Sequence, residues 1–372
     1  MSEVSIVAVR NAAELKRFIR LPSALYAGDP NFVPPLEMER RDALSPGRNP
    51  YFEHAEAQFY LAVRDGRDVG RISAQVDSLV KDPSIGHFGL LAAEDDPRVF
   101  AKLLSTAESW LRERGRTRVL GPFNLSINEE TGLLVDGFDT PPMIFMAHDP
   151  RYCAARLEQA GYARAKDLIA YLYNVDHDVP PAARRLLNRH VPAGLKVRNI
   201  DMKNFTTEFD TVIEIFNDAW SGNWGFIPFT PAELKHMGKG LKPLLRPGIT
   251  AMVELHGRPI AFSIALPNLN EAIRDFGGRL LPFNWLKLLL RLKRGTRTAR
   301  VALLGIRRDL ELGLLSGLIP YLLIDKMRQG APASMREIEL SWILEDNQPM
   351  RRVIESMGAV AYKTYRVYEK AL

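Results

Sequence analysis

The chain has 372 residues, 46% of them hydrophobic and 25% charged, a balance that excludes a disordered chain and exceeds what a single core usually fills, so two domains are expected. The net charge of +6 favours anionic partners: phosphates, an acidic carrier protein or an anionic membrane surface. Nucleic acid is not expected, because the bases are dispersed and no zinc-finger, RNP-type or basic-zipper pattern is present.

Cys153 is the one cysteine, so no internal disulfide can form. His54, His87, His148, His177, His190, His236 and His256 include no pair at helical metal spacing and accompany no Gly-x-Ser-x-Gly elbow. Neither a metal site nor a hydrolase triad is expected. The start, Met1-Ser2-Glu3-Val4-Ser5, lacks a basic flank followed by an apolar block, which predicts a cytoplasmic protein, with the inner face of the membrane as an alternative site of work.

In chain order, apolar runs at 59–63 and 69–76 flank Asp65-Gly66-Arg67 and predict a hairpin. Asp95 or Asp96 followed by Pro97 reads as the cap and first position of a helix. A polar stretch, Asn124 to Thr131, precedes Gly132, and Asp149-Pro150 opens a helix ending at Gly161, before a strand at 166–171. The linker Asp176-His177-Asp178-Val179-Pro180-Pro181 predicts domains at 1–178 and 179–372.

The second half repeats the order: strand 195–200, helices 210–220 and 231–245, a hairpin of 249–255 and 260–266 around His256-Gly257-Arg258, strand 301–306, helix 314–329, strand 337–344, helix 349–357 and strand 359–368. Glu158 and Glu355, Gly161 and Gly358, Lys166 and Lys363, and Tyr171 and Tyr368 all lie 197 residues apart, which indicates duplication. The fold class is therefore α/β, with a mixed sheet flanked by helices in each half. An inserted segment at 278–295 reads as a basic amphipathic helix: Lys287, Arg291 and Arg294 fall on one face, and Phe283, Trp285, Leu286, Leu289 and Leu290 cover the other. It suits an anionic lipid interface; the alternative is that its leucines pack on the protein's own sheet or on a second subunit.

Ile338-Glu339-Leu340-Ser341-Trp342-Ile343-Leu344, then Asp346-Asn347, Met350, Ile354-Glu355 and Gly358, resemble the strand, Asn cap and helix that end the Gcn5-related N-acetyltransferase (GNAT) fold. Asp29-Pro30-Asn31-Phe32-Val33-Pro34-Pro35, Gly121 to Asn128, Gly132 to Phe138 and Asn223-Trp224-Gly225-Phe226-Ile227-Pro228-Phe229 resemble a proteobacterial tandem-GNAT group similar to the bacterial ceramide synthases. The resemblance implies two tandem GNAT-like domains, an acyl-CoA or acyl-carrier-protein thioester as co-substrate, and the amine of a sphingoid base as acceptor.

In that family backbone N–H groups after the fourth strand, backed by a helix N-terminus, cradle the CoA pyrophosphate. The resemblance places this loop in the second half, at Ile306, Arg307, Arg308, Gly313, Ser316 and Gly317, with Asn347 nearby in the fold and an oxyanion donor near 304–306. The first-half counterpart, Ala92-Ala93-Glu94-Asp95-Asp96-Pro97, would repel a pyrophosphate, so the first domain is expected to be cofactor-free and the arginines could otherwise be plain surface.

Amine acylation needs a general base. Glu339 is the candidate, with Ser341 two residues on and so on the same face; Glu339 as a simple strand carboxylate is the alternative, and Glu129 or Glu130 are rival bases. The tyrosine acid of many relatives is replaced by Ile354. Asn124, Ser126, Asn128 and Glu130 could hold a polar head group or close an Asx-rich turn on themselves, and Trp224, Phe226 and Trp342 complete the expected acceptor side. Two other functions fit the same residues: a non-catalytic module binding acyl-CoA or a membrane, and an N-acetyl or aminoacyl transferase acting on another amine.

Overall fold

The computed structural model describes residues 3–188, 192–308 and 314–372, apart from the side chains of Leu314 and Ser316. The chain runs β1 (Ser5–Ala8), α1 (Ala12–Leu25), α2 (Glu37–Ala43), β2 (Ala55–Arg64), β3 (Arg67–Asp77), β4 (Ile85–Ala93), α3 (Pro97–Arg112), β5 (Arg118–Gly121), β6 (Phe123–Asn124), β7 (Glu130–Thr131), β8 (Leu133–Asp136), α4 (Tyr152–Gln159) and β9 (Ala163–Asn174). It continues through α5 (Pro181–Leu187), β10 (Leu195–Arg198), α6 (Phe205–Trp220), α7 (Pro231–Leu241), β11 (Thr250–Leu255), β12 (Arg258–Pro267), α8 (Leu269–Ile273), α9 (Asn284–Arg294), β13 (Thr298–Ile306), α10 (Leu314–Gly330), β14 (Glu337–Leu344), α11 (Gln348–Ser356) and β15 (Val360–Ala371).

Two units divide these elements: unit 1 takes the chain up to Leu168 together with Ile273–Leu289 and Lys363–Leu372, and unit 2 takes Ile169–Ala272 and Leu290–Tyr362. In unit 1 the strands lie in the order β1-β2-β3-β4-β5-β15, with β8 also on β15. Only β4 and β5 run parallel among the pairs with a described register. The predicted hairpin forms between β2 and β3, where Asp65 and Gly66 take φ of 51° and 73°, the left-handed region that a tight turn demands. Asp96 caps α3, accepting from the Arg98 N–H, with Pro97 in the first turn. Val99, Phe100, Leu103, Leu104, Ala107 and Leu111, at helical spacing, bury one face of α3. Gly70 on β3 lets it approach, since a Cβ there would sit 2.7 Å from Leu103.

In unit 2 the order is β9-β14-β13-β12-β11-β10, with β13 and β14 parallel and β10 to β13 antiparallel. Ile319, Leu323, Ile324 and Met327 of α10 join Ala251, Val253, Ala265 and Ile338 in one buried cluster, while α6 buries Val212, Ile213, Ile215 and Phe216. The duplicated glutamates have matching roles. The Tyr171 hydroxyl donates to Glu355 at 2.8 Å in unit 2, and the Tyr368 hydroxyl donates to Glu158 at 3.2 Å in unit 1. Each unit thus takes its tyrosine from the strand that ends the other half of the sequence. The α/β class and the mixed sheets flanked by helices are as the sequence predicts.

Candidate active site

The parallel pair in unit 2 is short. β13 and β14 are in register only from Thr298 opposite Glu337 to Val301 opposite Leu340. Beyond that rung β13 stays with β12, after a register shift at Ile264/Ala265 that leaves Ala302 as an extra residue. Such a bulge bends its strand, and a cleft opens between 303–306 of β13 and 341–344 of β14.

At the mouth of this cleft Arg300 and Glu339 are register partners. Glu339 is fully buried and Arg300 is 5% exposed. The Ser341 hydroxyl donates to one oxygen of Glu339 and the Tyr362 hydroxyl to the other. Arg300 Nε donates to Ser341 Oγ at 2.8 Å and lies 3.6 Å from Glu339. A buried carboxylate needs a counter-charge and hydrogen-bond donors; Arg300, Ser341 and Tyr362 supply both. Tyr362 is only half-buried, so it is the member of the cluster with access to solvent. Alternation in the strand brings Glu339 and Ser341 together as predicted. Arg300 and Tyr362 were missed: a lone arginine in the apolar run 299–304 was a usable signal, whereas Tyr362 reaches Glu339 only through the tertiary fold.

An aromatic wall leads to the cleft. Phe226 approaches Phe216 with ring centroids 6.4 Å apart, Phe216 stacks on Trp220 at 5.2 Å, and Trp220 meets Trp342 edge-on at 5.5 Å. Trp220 Nε1 donates to the Leu304 carbonyl at 2.8 Å, fixing the indole against the diverging part of β13. Phe226 and Trp342 therefore belong to one surface, to which the structure adds Phe216 and Trp220; Trp224 is half-buried in the loop between α6 and α7.

On the donor side, Ile306 ends β13 opposite Ala261. The Arg307 guanidinium donates to Glu214 at 2.8 Å and to the Pro259 carbonyl at 3.1 Å, and the Arg308 N–H donates to Asp218 at 2.6 Å. The Arg308 side chain is exposed. Gly313 and the side chain of Ser316 lie outside the described residues, as does His190. Gly317 stands in the first turn of α10 with open space beside it. Asn347 accepts from the Met350 N–H at 3.3 Å as the cap of α11, so its carbonyl oxygen serves the helix.

Unit 1 has the same parallel pair, β4 and β5, in register from Ile85 opposite Arg118 to His87 opposite Leu120. Here the space beyond is filled by the chain itself. Gly89 packs so closely under Phe123 that a Cβ would sit 1.7 Å from the Phe123 carbonyl oxygen. Asn124 accepts from the Leu90 N–H at 2.7 Å, and Gln75 donates to the carbonyls of Phe123 and Leu125 at 2.7 and 3.2 Å. Asn124 also donates to Glu130 at 2.8 Å, Glu130 pairs with Arg40, and Ser126 accepts from the Asn128 N–H at 3.1 Å. Glu129 follows in the same turn, its N–H donating to the Ser126 carbonyl at 3.2 Å. These bonds tie the segment to β3, β4 and α2 as well as within its own turn. The segment before α3 is likewise occupied: Arg64 bridges Glu94 and Asp96 at 2.7 and 2.6 Å. Arg98, chiefly, holds the Asp96 carboxyl well below the usual range.

A parallel strand pair within a mixed sheet flanked by helices is the arrangement of the GNAT class of acyltransferases, and such a pair occurs in each unit, β4 with β5 and β13 with β14. Among solved structures, the chain is similar to a tandem GNAT protein from the clavulanic acid biosynthesis pathway (15% identity, TM-score 0.56, covering 99% of this chain and 98% of the other). It is similar also to a GCN5-related N-acetyltransferase of Sphaerobacter thermophilus (14% identity, TM-score 0.55, covering 98% and 95%). No family model matches the sequence. Among curated proteins it is 49% identical over 377 residues to the bacterial ceramide synthase of Caulobacter vibrioides, covering 100% of this chain and 98% of that one. It is 44% identical over 370 residues to protein YghO of Escherichia coli, covering 97% and 94%. The chain belongs to the bacterial ceramide synthase family, and it is an N-acyltransferase.

Proposed function

We propose that this enzyme transfers a long-chain acyl group from a CoA thioester to the amine of a sphingoid base, giving ceramide. The observation that carries the reading is the Arg300–Ser341–Glu339–Tyr362 cluster at the point where β13 and β14 part. The aromatic wall beside it suits an aliphatic chain, and the 49%-identical relative bears the ceramide synthase name.

In the proposed step the amine nitrogen attacks the thioester carbonyl, the carbon–sulfur bond breaks and CoA leaves as thiolate. The proton lost by the amine passes to the Tyr362 oxygen as the Tyr362 proton moves to Glu339. Arg300 and Ser341 keep Glu339 in place, and a backbone N–H near 304–306, beyond the rung where β14 pairing ends, stabilises the oxyanion. The thioester enters through the cleft with its phosphates toward the N-terminus of α10. Of the two arginines there, Arg308 is the better phosphate ligand, because Glu214 holds Arg307.

The test is thiol release with long-chain acyl-CoA and sphinganine or 3-ketosphinganine, with the amide product identified by mass. An amine with a pKa near 10 is mostly protonated at neutral pH, so Glu339→Gln should lower kcat by about 10²–10⁴-fold there and recover as pH rises. Tyr362→Phe should give the same profile. Thiol release with neither base sinks the sphingoid reading; a wild-type pH profile in both variants sinks the relay.

A further inference from the structure

Nine large hydrophobic side chains are exposed among the described residues, and six of them fall within ten consecutive positions: Leu281, Phe283, Trp285, Leu286, Leu289 and Leu290, between 45% and 74% accessible. They occupy α9 and the turn before it. The helix is held from its other side. Asn284, Leu288, Arg291 and Leu292, at i, i+4, i+7 and i+8, are half-buried and form one stripe, from which Arg291 donates to the Ala272 carbonyl at 2.8 Å. Asn284 anchors the first turn by donating to the Arg279 carbonyl at 2.7 Å. The amphipathic pattern is therefore turned outward: a scaffolded helix shows water its apolar face, which leaves a contiguous patch of the kind that marks an interaction site.

Charge identifies the occupant. From Phe276 to Arg308 the sequence has no acidic residue, and Arg279, Lys287, Lys293 and Arg294 flank the apolar stripe. A second copy docking through this patch would be isologous and would set these cations against one another. An anionic lipid surface offers an apolar layer for the leucines, an interfacial layer for Phe283 and Trp285, and phosphates for the bases. We propose that α9 and its leading turn are an interfacial anchor that seats the enzyme on anionic lipid. At 11 residues the helix lies in the interface rather than crossing it, for which about 20 are needed; no described helix is long and apolar enough to cross a membrane. The purpose of such an anchor rests on the long-chain substrate reading above, since such substrates reside in membranes; its geometry rests on α9 alone.

The test is co-sedimentation of the full chain with phosphatidylcholine vesicles with and without phosphatidylglycerol, in the absence of substrate. Binding is expected to the anionic vesicles and to weaken as salt rises. Trp285→Glu with Leu289→Glu should reduce the partition coefficient by about a hundredfold while leaving the thermal melt unchanged, because both side chains are exposed. Lys287→Glu with Arg294→Glu should abolish only the preference for anionic lipid. No binding at low salt, or equal binding by the Trp285/Leu289 variant, overturns the anchor. So does capture of an acidic acyl carrier protein, or dimerisation through this face, without vesicle binding. Acylation of detergent-dispersed sphinganine in that case would leave the catalytic reading standing.

Discussion

Glu339 shows how a single position is given its chemistry by neighbours distant in sequence. In an apolar central strand an unpaired carboxylate would be strongly destabilising. It is tolerated because Arg300 sits opposite on β13 and because two hydroxyls donate to it. Its pairing with Ser341 was legible from strand alternation, whereas Arg300 became a partner only once β13 and β14 were placed side by side in parallel. His87, in unit 1, meets the same low-dielectric surroundings without a counter-charge. It packs edge-on against Phe123 at 4.7 Å, and burial pulls its pKa down to about 4. The unfolded chain takes up that proton near pH 6.5, so stability present at neutral pH is lost as pH falls from about 6.5 to about 4, by roughly 3 kcal/mol. Urea unfolding against pH checks this: His87→Gln should flatten the curve across that window, whatever its effect at pH 7. A slope equal to wild type would mean that other groups carry the dependence.

The two parallel strand pairs differ in what fills the space beyond them. In unit 2 the Ala302 bulge lets β13 leave β14, and Trp220 and Trp342 line the opening. In unit 1 the segment 123–131 occupies the corresponding space, and Gly89 and Asn124 are fitted to it. Gly89→Ala should therefore destabilise the protein by about 3 kcal/mol, because the new methyl meets a backbone carbonyl that cannot yield; calorimetry of the purified variant reads this directly. An unchanged melting temperature would show that the segment is loosely seated. The Asp-Pro signal before α3 was read correctly as a helix cap, since Asp96 accepts from the Arg98 N–H. The sequence left two readings of the segment 123–131, a head-group site or an Asx-rich turn, because the partners that Asn124 and Glu130 find on Leu90 and Arg40 are distant in the chain.

For the whole molecule, the reciprocal tyrosine–glutamate bonds have a consequence. Unit 1 needs Lys363–Leu372, whose strand pairs with β5 and β8, and unit 2 needs Ile169–Asn174 from β9. Lys363 is buried in unit 1 with its ammonium on the carbonyls of Gly137 and Thr140. Fragments 1–178 and 179–372 should each fail to melt cooperatively when expressed alone, because each lacks a strand of its sheet and exposes an edge. Co-expression should restore a single folded complex, read by gel filtration and circular dichroism. Independent cooperative melting of fragment 1–178 would refute the exchange.

The sequence by itself determined the duplication, the α/β class, the order of elements, the hairpins and the helix caps, because turns, caps and periodicity depend on neighbours a few residues away. It also carried the family, through phrases spread along the whole chain. Three matters were decided by tertiary structure alone: that Arg300 and Tyr362 join Glu339 and Ser341, what lies beyond each parallel strand pair, and which way α9 faces. Each depends on contacts between residues far apart in the chain, and packing, not local preference, sets those contacts.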